Sequence, residues 1–109
     1  MPMPHVVRCK TFIYGAHNGN VTNCDALKSW LTDEGHQVTS DNDGEMVVHT
    51  VEHYFALELQ ELAEEQRDDR DARQGAMRAA IMRACARLQG SFAAVIVDPV
   101  SRRVYAIKQ

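Results

Sequence analysis

The chain has 109 residues, which limits it to one small domain with a modest capacity to bury its own surface. Hydrophobic residues make up 45% and charged residues 25%, as in ordinary globular proteins, and the net charge of −3 gives no reason to expect a nucleic acid or an anionic membrane as partner. No apolar run approaches the roughly 20 residues that cross a bilayer, and the N-terminus has no signal-peptide pattern. The widely spaced Cys9, Cys24 and Cys85 are typical of reduced thiols in a cytoplasm. We therefore expect a single cytoplasmic domain over residues 1–109.

The first half of the chain predicts a strand followed by a helix. Residues 6–14 are rich in β-branched and aromatic side chains, which predicts a strand. Residues 17–23 are polar and rich in Gly and Asn, so we expect a turn there. An apolar stripe over residues 27–31 predicts a helix that is capped by Thr22 and ended by Gly35.

A second polar turn, at residues 40–45, leads into a long amphipathic helix. Apolar side chains recur every three or four residues over positions 48–62. Either Asn42 or Asp43 is the N-cap of this helix. Glu45 completes a capping box if Asn42 holds that place.

The second half of the chain predicts one more helix and two strands. Residues 61–74 are almost wholly charged with mixed signs, which indicates a solvated helix end and loop. The helical period returns over residues 77–88 and stops at Gly90. The β-branched run 91–97 predicts a strand buried on both faces, and a last strand follows over residues 102–108. The order predicts an α/β (α+β) fold with helices packed on an antiparallel sheet.

The two polar turns carry the candidate site. The first turn, at residues 17–23, offers amide side chains and a glycine N–H, which are donors of the kind that form an oxyanion hole. The second turn, at residues 40–45, offers carboxylates beside the predicted N-terminus of a helix, where a carboxylate is stabilised and suited to hold a ligand ammonium.

These motifs also carry a family resemblance. Residues 17–23 and 40–45, with the sequences HNGNVTN and SDNDGE, resemble the glutaminase domain of class II glutamine amidotransferases, above all the branch that forms glucosamine 6-phosphate. Residues 88–93, LQGSFA, are similar to the family segment in which a helix leads into a central strand. The resemblance implies an Ntn-hydrolase-like αββα sandwich, of which this chain is a segment.

In that family, glutamine is hydrolysed to glutamate and ammonia, and the ammonia passes to an acceptor such as fructose 6-phosphate. The resemblance implies that Asn18 and Gly19 form the oxyanion hole and that Asp43 grips the α-amino group of glutamine. The family nucleophile is a cysteine at the mature N-terminus, whereas residues 1 and 2 here are Met and Pro. We therefore expect a partial glutaminase domain that is inactive as an isolated chain.

Two other classes of function remain open. The first is a catalytically inactive module that binds glutamine or another amino acid. The second is a structural subunit that completes a partner's sheet. Three predicted strands with helices on one face leave the other face and both edges uncovered. We therefore expect a homo-oligomer, most simply a two-fold dimer, or association with a chain that supplies the nucleophile half.

Other reactive side chains carry weaker signals. Cys24 is the one candidate for a substitute nucleophile, because a helix N-terminus lowers a thiol pKa, although a bystander role is favoured for all three cysteines. His49 and His53 have the i, i+4 spacing of metal ligands, but the sequence indicates no third ligand. We therefore expect neither a metal site nor a cofactor.

Overall fold

Four antiparallel strands and three α-helices make up residues 5–109, the part of the chain that the computed structural model describes. In chain order the elements are β1 (His5–Val7), β2 (Ile13–Val21), α1 (Cys24–Asp33), α2 (Asp43–Gln60), a 3₁₀ turn (Glu64–Gln66), α3 (Arg70–Arg87), β3 (Gly90–Asp98) and β4 (Arg103–Lys108). The strands lie in one sheet in the order β1-β2-β3-β4. None of these helices is both long and apolar enough to span a bilayer. The predicted α/β (α+β) class, with helices on an antiparallel sheet, is confirmed.

One face of the sheet is covered and the other is open. Helix α2 packs against β1 and β2 and is flanked by α1 and α3. Side chains alternate along the strands, so Ile13 and Ile96 are fully buried on the covered face. On the opposite face Val95 and Val104 expose 44% and 66% of their surfaces. The prediction that residues 91–97 are buried on both faces is therefore wrong, because within residues 5–109 no layer covers the outer face.

The first predicted strand and the turn after it are corrected. The predicted strand over residues 6–14 is two strands, since β1 ends at Val7 and β2 begins at Ile13. β2 then continues to Val21 through the segment that was predicted as a turn. Every residue from 14 to 21 pairs with a residue of β3, and this long ladder outweighs the weak strand propensity of Gly and Asn.

The predicted end of α1 and one predicted start of α2 are confirmed. Gly35 follows α1 with a φ of +90°, and the N–H of His36 donates to the carbonyl of Leu31 at 3.0 Å, which is a Schellman motif. The side chain of Asn42 accepts from the N–H of Gly44 at 2.8 Å, so Asn42 is the N-cap of α2. The Schellman motif turns His36 inward, and only 4% of its surface is exposed.

Two capping predictions are wrong. The N-cap of α1 is Asn23 rather than Thr22, and the Asn23 side chain bonds to the link between α3 and β3 instead of capping the helix. Glu45 forms no capping box with Asn42. Its carboxylate reaches further back and accepts from the backbone N–H of Thr39 at 2.6 Å.

The charged run over residues 61–74 divides into two parts. Residues 63–69 are exposed, as predicted. Helix α3 already begins at Arg70, and Arg73 in its first turn is buried against Asp98 at the end of β3. The prediction of a solvated segment is therefore wrong at Arg73, because a buried carboxylate neutralises its charge.

Candidate functional site

Asn18 and Gly19, the predicted oxyanion-hole residues, lie in β2 beside β3. Asn18 is opposite Ala93 in the ladder, and Gly19 is opposite Phe92. Gly19 has a φ of +117°, and a Cβ at this position would lie 2.5 Å from the carbonyl oxygen of Ser91. Only glycine adopts this conformation so close to a neighbouring backbone. The position of the Gly19 N–H therefore requires a residue that has no Cβ.

The N–H of Gly19 points away from β3. Its partner Phe92 exchanges both backbone hydrogen bonds with Gln109, at 3.1 and 2.9 Å. Because backbone groups alternate in direction along an antiparallel strand, Gly19 and Phe92 form a non-hydrogen-bonded pair. The Gly19 N–H is therefore directed to the other edge of β2, where the described part of β1 ends at His5, opposite Gly15. The Gly19 N–H, the donor that an oxyanion hole requires, therefore forms no hydrogen bond in the β2–β3 ladder.

The side chain of Asn18 lies on the open face of the sheet. Asn18 is exposed and lines two neighbouring cavities of about 410 and 280 Å³. Both cavities also involve Ala93 and Lys108. The Asn18 amide is therefore accessible to a small ligand on this face.

Asp43 is the first residue of α2 and ties this helix to the end of β2. One carboxylate oxygen accepts the N–H of Val21 at 2.8 Å, and the other accepts the thiol of Cys24 at 3.0 Å. Burial raises the pKa of Asp43, but the hydrogen bonds from Cys24 and Val21 and the nearby His17 outweigh burial and bring the pKa below its ordinary value. Asp43 is therefore anionic at neutral pH, as an ammonium anchor must be.

The two parts of the predicted site meet at the end of β2 but approach it from different faces. Gly19 lies two residues before Val21, whose N–H holds Asp43, and this separation is about 7 Å along a strand. The Asn18 side chain is on the open face, whereas Asp43 belongs to α2 on the covered face. A ligand that contacts both must lie around the edge of β2 to which the Gly19 N–H points.

Comparison with known proteins identifies the family. The family model described as a glutamine amidotransferase domain matches residues 2–109. The chain belongs to the class II glutamine amidotransferase family. Over 94 residues this amidotransferase domain is 30% identical to glutamine–fructose-6-phosphate aminotransferase (isomerizing) from Clostridium tetani. The alignment covers 85% of the chain and 12% of that protein.

A solved structure matches the fold of this amidotransferase domain. It is glutamine phosphoribosylpyrophosphate amidotransferase from B. subtilis in complex with ADP and GMP, with a TM-score of 0.65 and 17% identity. The match covers 100% of the chain and 20% of that structure. This likeness confirms the predicted Ntn-hydrolase-like fold. The chain thus spans only a small part of the length of both relatives.

Cys24, the candidate substitute nucleophile, is held as a hydrogen-bond donor in this amidotransferase domain. Its Sγ contacts Asp43 at 3.0 Å and the carbonyl of Val21 at 3.2 Å. Burial, followed by the hydrogen bond to Asp43, raises the pKa of Cys24 to about 12. The thiol therefore stays protonated at neutral pH, and the helix N-terminus does not activate it.

His49 and His53 lie one turn apart on α2 and belong to a buried group of side chains. Nδ1 of His36 lies 3.1 Å from Nδ1 of His49, and Nε2 of His36 lies 3.1 Å from Nδ1 of His53. Cys9, in the loop between β1 and β2, places its Sγ 3.9 Å from Nδ1 of His49. Burial and then the neighbouring histidines lower the pKa of His36 to about 4. We call Cys9, His36, His49 and His53 the histidine cluster.

Sequence reasoning named His49 and His53 but missed the other two members of the histidine cluster. One local signal pointed to His36, because the residue after a C′ glycine folds back onto its own helix. No local signal pointed to Cys9, which lies 40 residues before its contact His49. The pairing of these side chains depends on the packing of α1 and the β1–β2 loop against α2.

Proposed function

We propose that this domain binds glutamine at the end of β2, as the glutaminase part of a larger amidotransferase. The Asn18 amide and the Gly19 N–H serve as the oxyanion-hole donors, and Asp43 holds the α-ammonium group. The observation that best supports this assignment is the direction of the Gly19 N–H. It leaves the ladder and faces the edge of β2 near which Asp43 is anchored.

The proposed reaction begins when a cysteine thiolate supplied from outside residues 1–109 attacks the side-chain amide carbon of glutamine. The carbonyl oxygen becomes the oxyanion that Asn18 and Gly19 stabilise. The C–N bond then breaks as the nitrogen takes up the proton that the attacking thiol gave up, and ammonia leaves. Water cleaves the resulting thioester to give glutamate and the free thiol. The name of the Clostridium tetani relative supports fructose 6-phosphate as the acceptor of the nitrogen. We place the acceptor chemistry outside residues 1–109.

Asp43→Asn is expected to weaken glutamine binding about ten- to more than a hundredfold, because a charge-assisted hydrogen bond worth roughly 1.5–3 kcal/mol is lost. Isothermal titration calorimetry with glutamine measures the change. Asp41→Asn is the matched control, since Asp41 is exposed and, among residues 5–109, forms an ion pair with Lys28 alone, at 2.9 Å. Equal affinities of the Asp43→Asn and parent chains would remove Asp43 from the site, and a parent chain that does not bind glutamine would contradict the proposed function.

The 109-residue chain alone is expected to release no glutamate from glutamine. The Cys24 thiol is protonated and bound to Asp43, and burial raises the pKa of the Cys85 thiol. An enzymatic glutamate assay tests this expectation. Turnover that disappears in Cys24→Ala would assign the nucleophile to Cys24 and overturn it. The same observations favour a second candidate function, a catalytically inactive module that binds glutamine or a related amino acid.

We also propose that the isolated chain forms a two-fold dimer through the open face of its sheet. Val6, Val95 and Val104 expose 58%, 44% and 66% of their surfaces on this face. A small chain gains stability by covering such a surface, and a two-fold contact between identical faces is the simplest way to do so.

Sedimentation velocity at micromolar concentration is expected to show this dimer. Val95→Glu is expected to give a monomer, because Val95 lies between Ala16 and Ala106 in the sheet and a charge there opposes burial of the face. A parent chain that sediments as a compact monomer would contradict the proposed dimer.

A further inference from the structure

We infer that Cys9, His36, His49 and Glu52 form a binding site for a divalent transition-metal ion of the zinc type. The site joins the loop between β1 and β2, the residue beyond the C′ glycine of α1, and the middle of α2. His49 lies six residues beyond Asp43, about 9 Å along the same helix, so the metal site is separate from the proposed glutamine site.

The donor atoms already have nearly the spacing of a tetrahedral site. The Nδ1 atoms of His36 and His49 are 3.1 Å apart, and Sγ of Cys9 lies 3.9 Å from Nδ1 of His49. All three donors lie within 4.8 Å of one another. Zn–N distances of about 2.0–2.1 Å and Zn–S distances of about 2.3 Å put neighbouring donors about 3.3–3.6 Å apart in a tetrahedron. Small side-chain movements therefore bring all three onto one ion.

Glu52 supplies an anionic fourth donor. Its side chain is fully buried, and Oε2 accepts the N–H groups of Lys10 and Thr11 at 2.7 and 2.6 Å. Oε1 has no hydrogen-bond partner among residues 5–109 and lies 3.6 Å from Nδ1 of His36. Because an unsatisfied buried oxygen is costly, its position beside the cluster indicates a cation as the missing partner. The Glu52 carboxylate and a Cys9 thiolate together neutralise the charge of a divalent ion.

The outer nitrogens of both histidines have acceptors, as those of metal-bound histidines do. When Nδ1 coordinates the ion, Nε2 carries the proton. Nε2 of His49 lies 3.5 Å from Oε1 of Glu45, and Nε2 of His36 lies 3.1 Å from Nδ1 of His53. One tautomer of each ring therefore satisfies the ion and the surrounding protein at the same time.

The sulfur ligand is accessible and has a suitable environment. The backbone N–H of Gln37 donates to Sγ of Cys9 at 3.3 Å, which holds the sulfur in place beside the histidines. A cavity of about 680 Å³, lined in part by Cys9, Glu45 and His49, provides a route to the cluster. On coordination the thiol releases its proton to solvent. The ion would fasten the β1–β2 loop and the residue after α1 to α2, which is a structural role.

Cobalt titration of the chelator-treated full chain tests the site by absorption spectroscopy. We expect one equivalent of Co²⁺ per chain, with a thiolate-to-metal charge-transfer band and the intense d–d bands of tetrahedral coordination. Zinc is expected to displace the cobalt and abolish both features. A spectrum that equals that of free cobalt in solution would overturn the inference.

Cys9→Ser is expected to abolish the charge-transfer band. Changes to residues in the outer shell of a metal site weaken metal binding by up to about 100-fold, so loss of the direct ligand Cys9 should weaken zinc binding at least that much. Cys85→Ser is the matched control, because Cys85 is also a half-buried free thiol and lies on α3. It should leave the band and the affinity unchanged. Glu52→Gln should keep the band and weaken zinc binding at least about tenfold. A band that survives Cys9→Ser or disappears in Cys85→Ser would place the ion elsewhere.

Discussion

Arg73→Met is expected to lower the free energy of unfolding by about 3–5 kcal/mol, because it leaves the Asp98 carboxylate buried without its cation. Arg73 is 5% exposed and Asp98 is fully buried. Nε and Nη2 of Arg73 each donate to one carboxylate oxygen at 2.9 Å. After the substitution, the Ser101 hydroxyl and the Val100 N–H are the donors that remain to Asp98 within the described part of the chain. Urea denaturation measures the loss.

Arg83→Met is the matched control for this substitution. The Arg83 side chain is 46% exposed and lies 3.7 Å from Glu58, so its loss should cost about 1 kcal/mol or less. Equal losses in the Arg73→Met and Arg83→Met chains would show that the buried pair contributes no more than a surface pair.

Because of the Arg73–Asp98 pair, we also expect the free energy of unfolding to depend on pH in the acid range. Burial raises the pKa of Asp98, but the hydrogen bonds from Arg73 and Ser101 outweigh burial and hold the pKa below its ordinary value. The unfolded chain therefore takes up this proton first, so the stabilisation is complete above about pH 4 and is lost as the pH falls through the folded-state pKa. The difference in unfolding free energy between the parent chain and Arg73→Met should shrink in this acid range.

Gly19→Ala is expected to lower the free energy of unfolding by roughly 2–5 kcal/mol, the combined cost of backbone strain and overpacking. The φ of Gly19 is +117°, and an added Cβ would lie 2.5 Å from the Ser91 carbonyl oxygen and 2.6 Å from Cα of Phe92. Both atoms belong to the backbone of β3, so they move only if the β2–β3 ladder opens. Movement of the ladder would also displace the Gly19 N–H, and calorimetry should show weaker glutamine binding.

Gly75→Ala is the control for added bulk. A Cβ at Gly75 meets no atom within 4 Å, and the residue lies inside α3. Replacing a glycine within a helix by alanine should stabilise the chain by about 0.5–1 kcal/mol. A Gly19→Ala chain as stable as the parent would show that the β2–β3 ladder tolerates a side chain at this point.

The end of α1, the start of α2 and the last two strands were predictable because their signals are local. Gly35 ends α1 through its own backbone freedom, and Asn42 caps α2 with its own side chain. Strands β3 and β4 begin and end within one residue of the predicted ranges 91–97 and 102–108. In each case, neighbouring residues supply the interactions that define the boundary.

The errors arose where a distant partner outweighed a local preference. Residues 17–21 consist largely of turn formers, yet they are a strand because β3 supplies a partner for each of them. Arg73 lies in a charged run whose composition predicts exposure to solvent. It is buried nevertheless, because the carboxylate of Asp98, 25 residues later, neutralises its charge. Composition in a short window contains no information about such partners.

The sequence by itself determined the family and the candidate residues Asn18, Gly19 and Asp43, because the motifs that carry them are contiguous. Only the tertiary structure decided that the Asn18 side chain and Asp43 lie on different faces of the sheet. It alone brought His36 and Cys9, which lie 13 and 40 residues before His49, to one point on α2. The physical reason is that strand pairing determines which face a side chain occupies, and helix packing determines which distant donors converge.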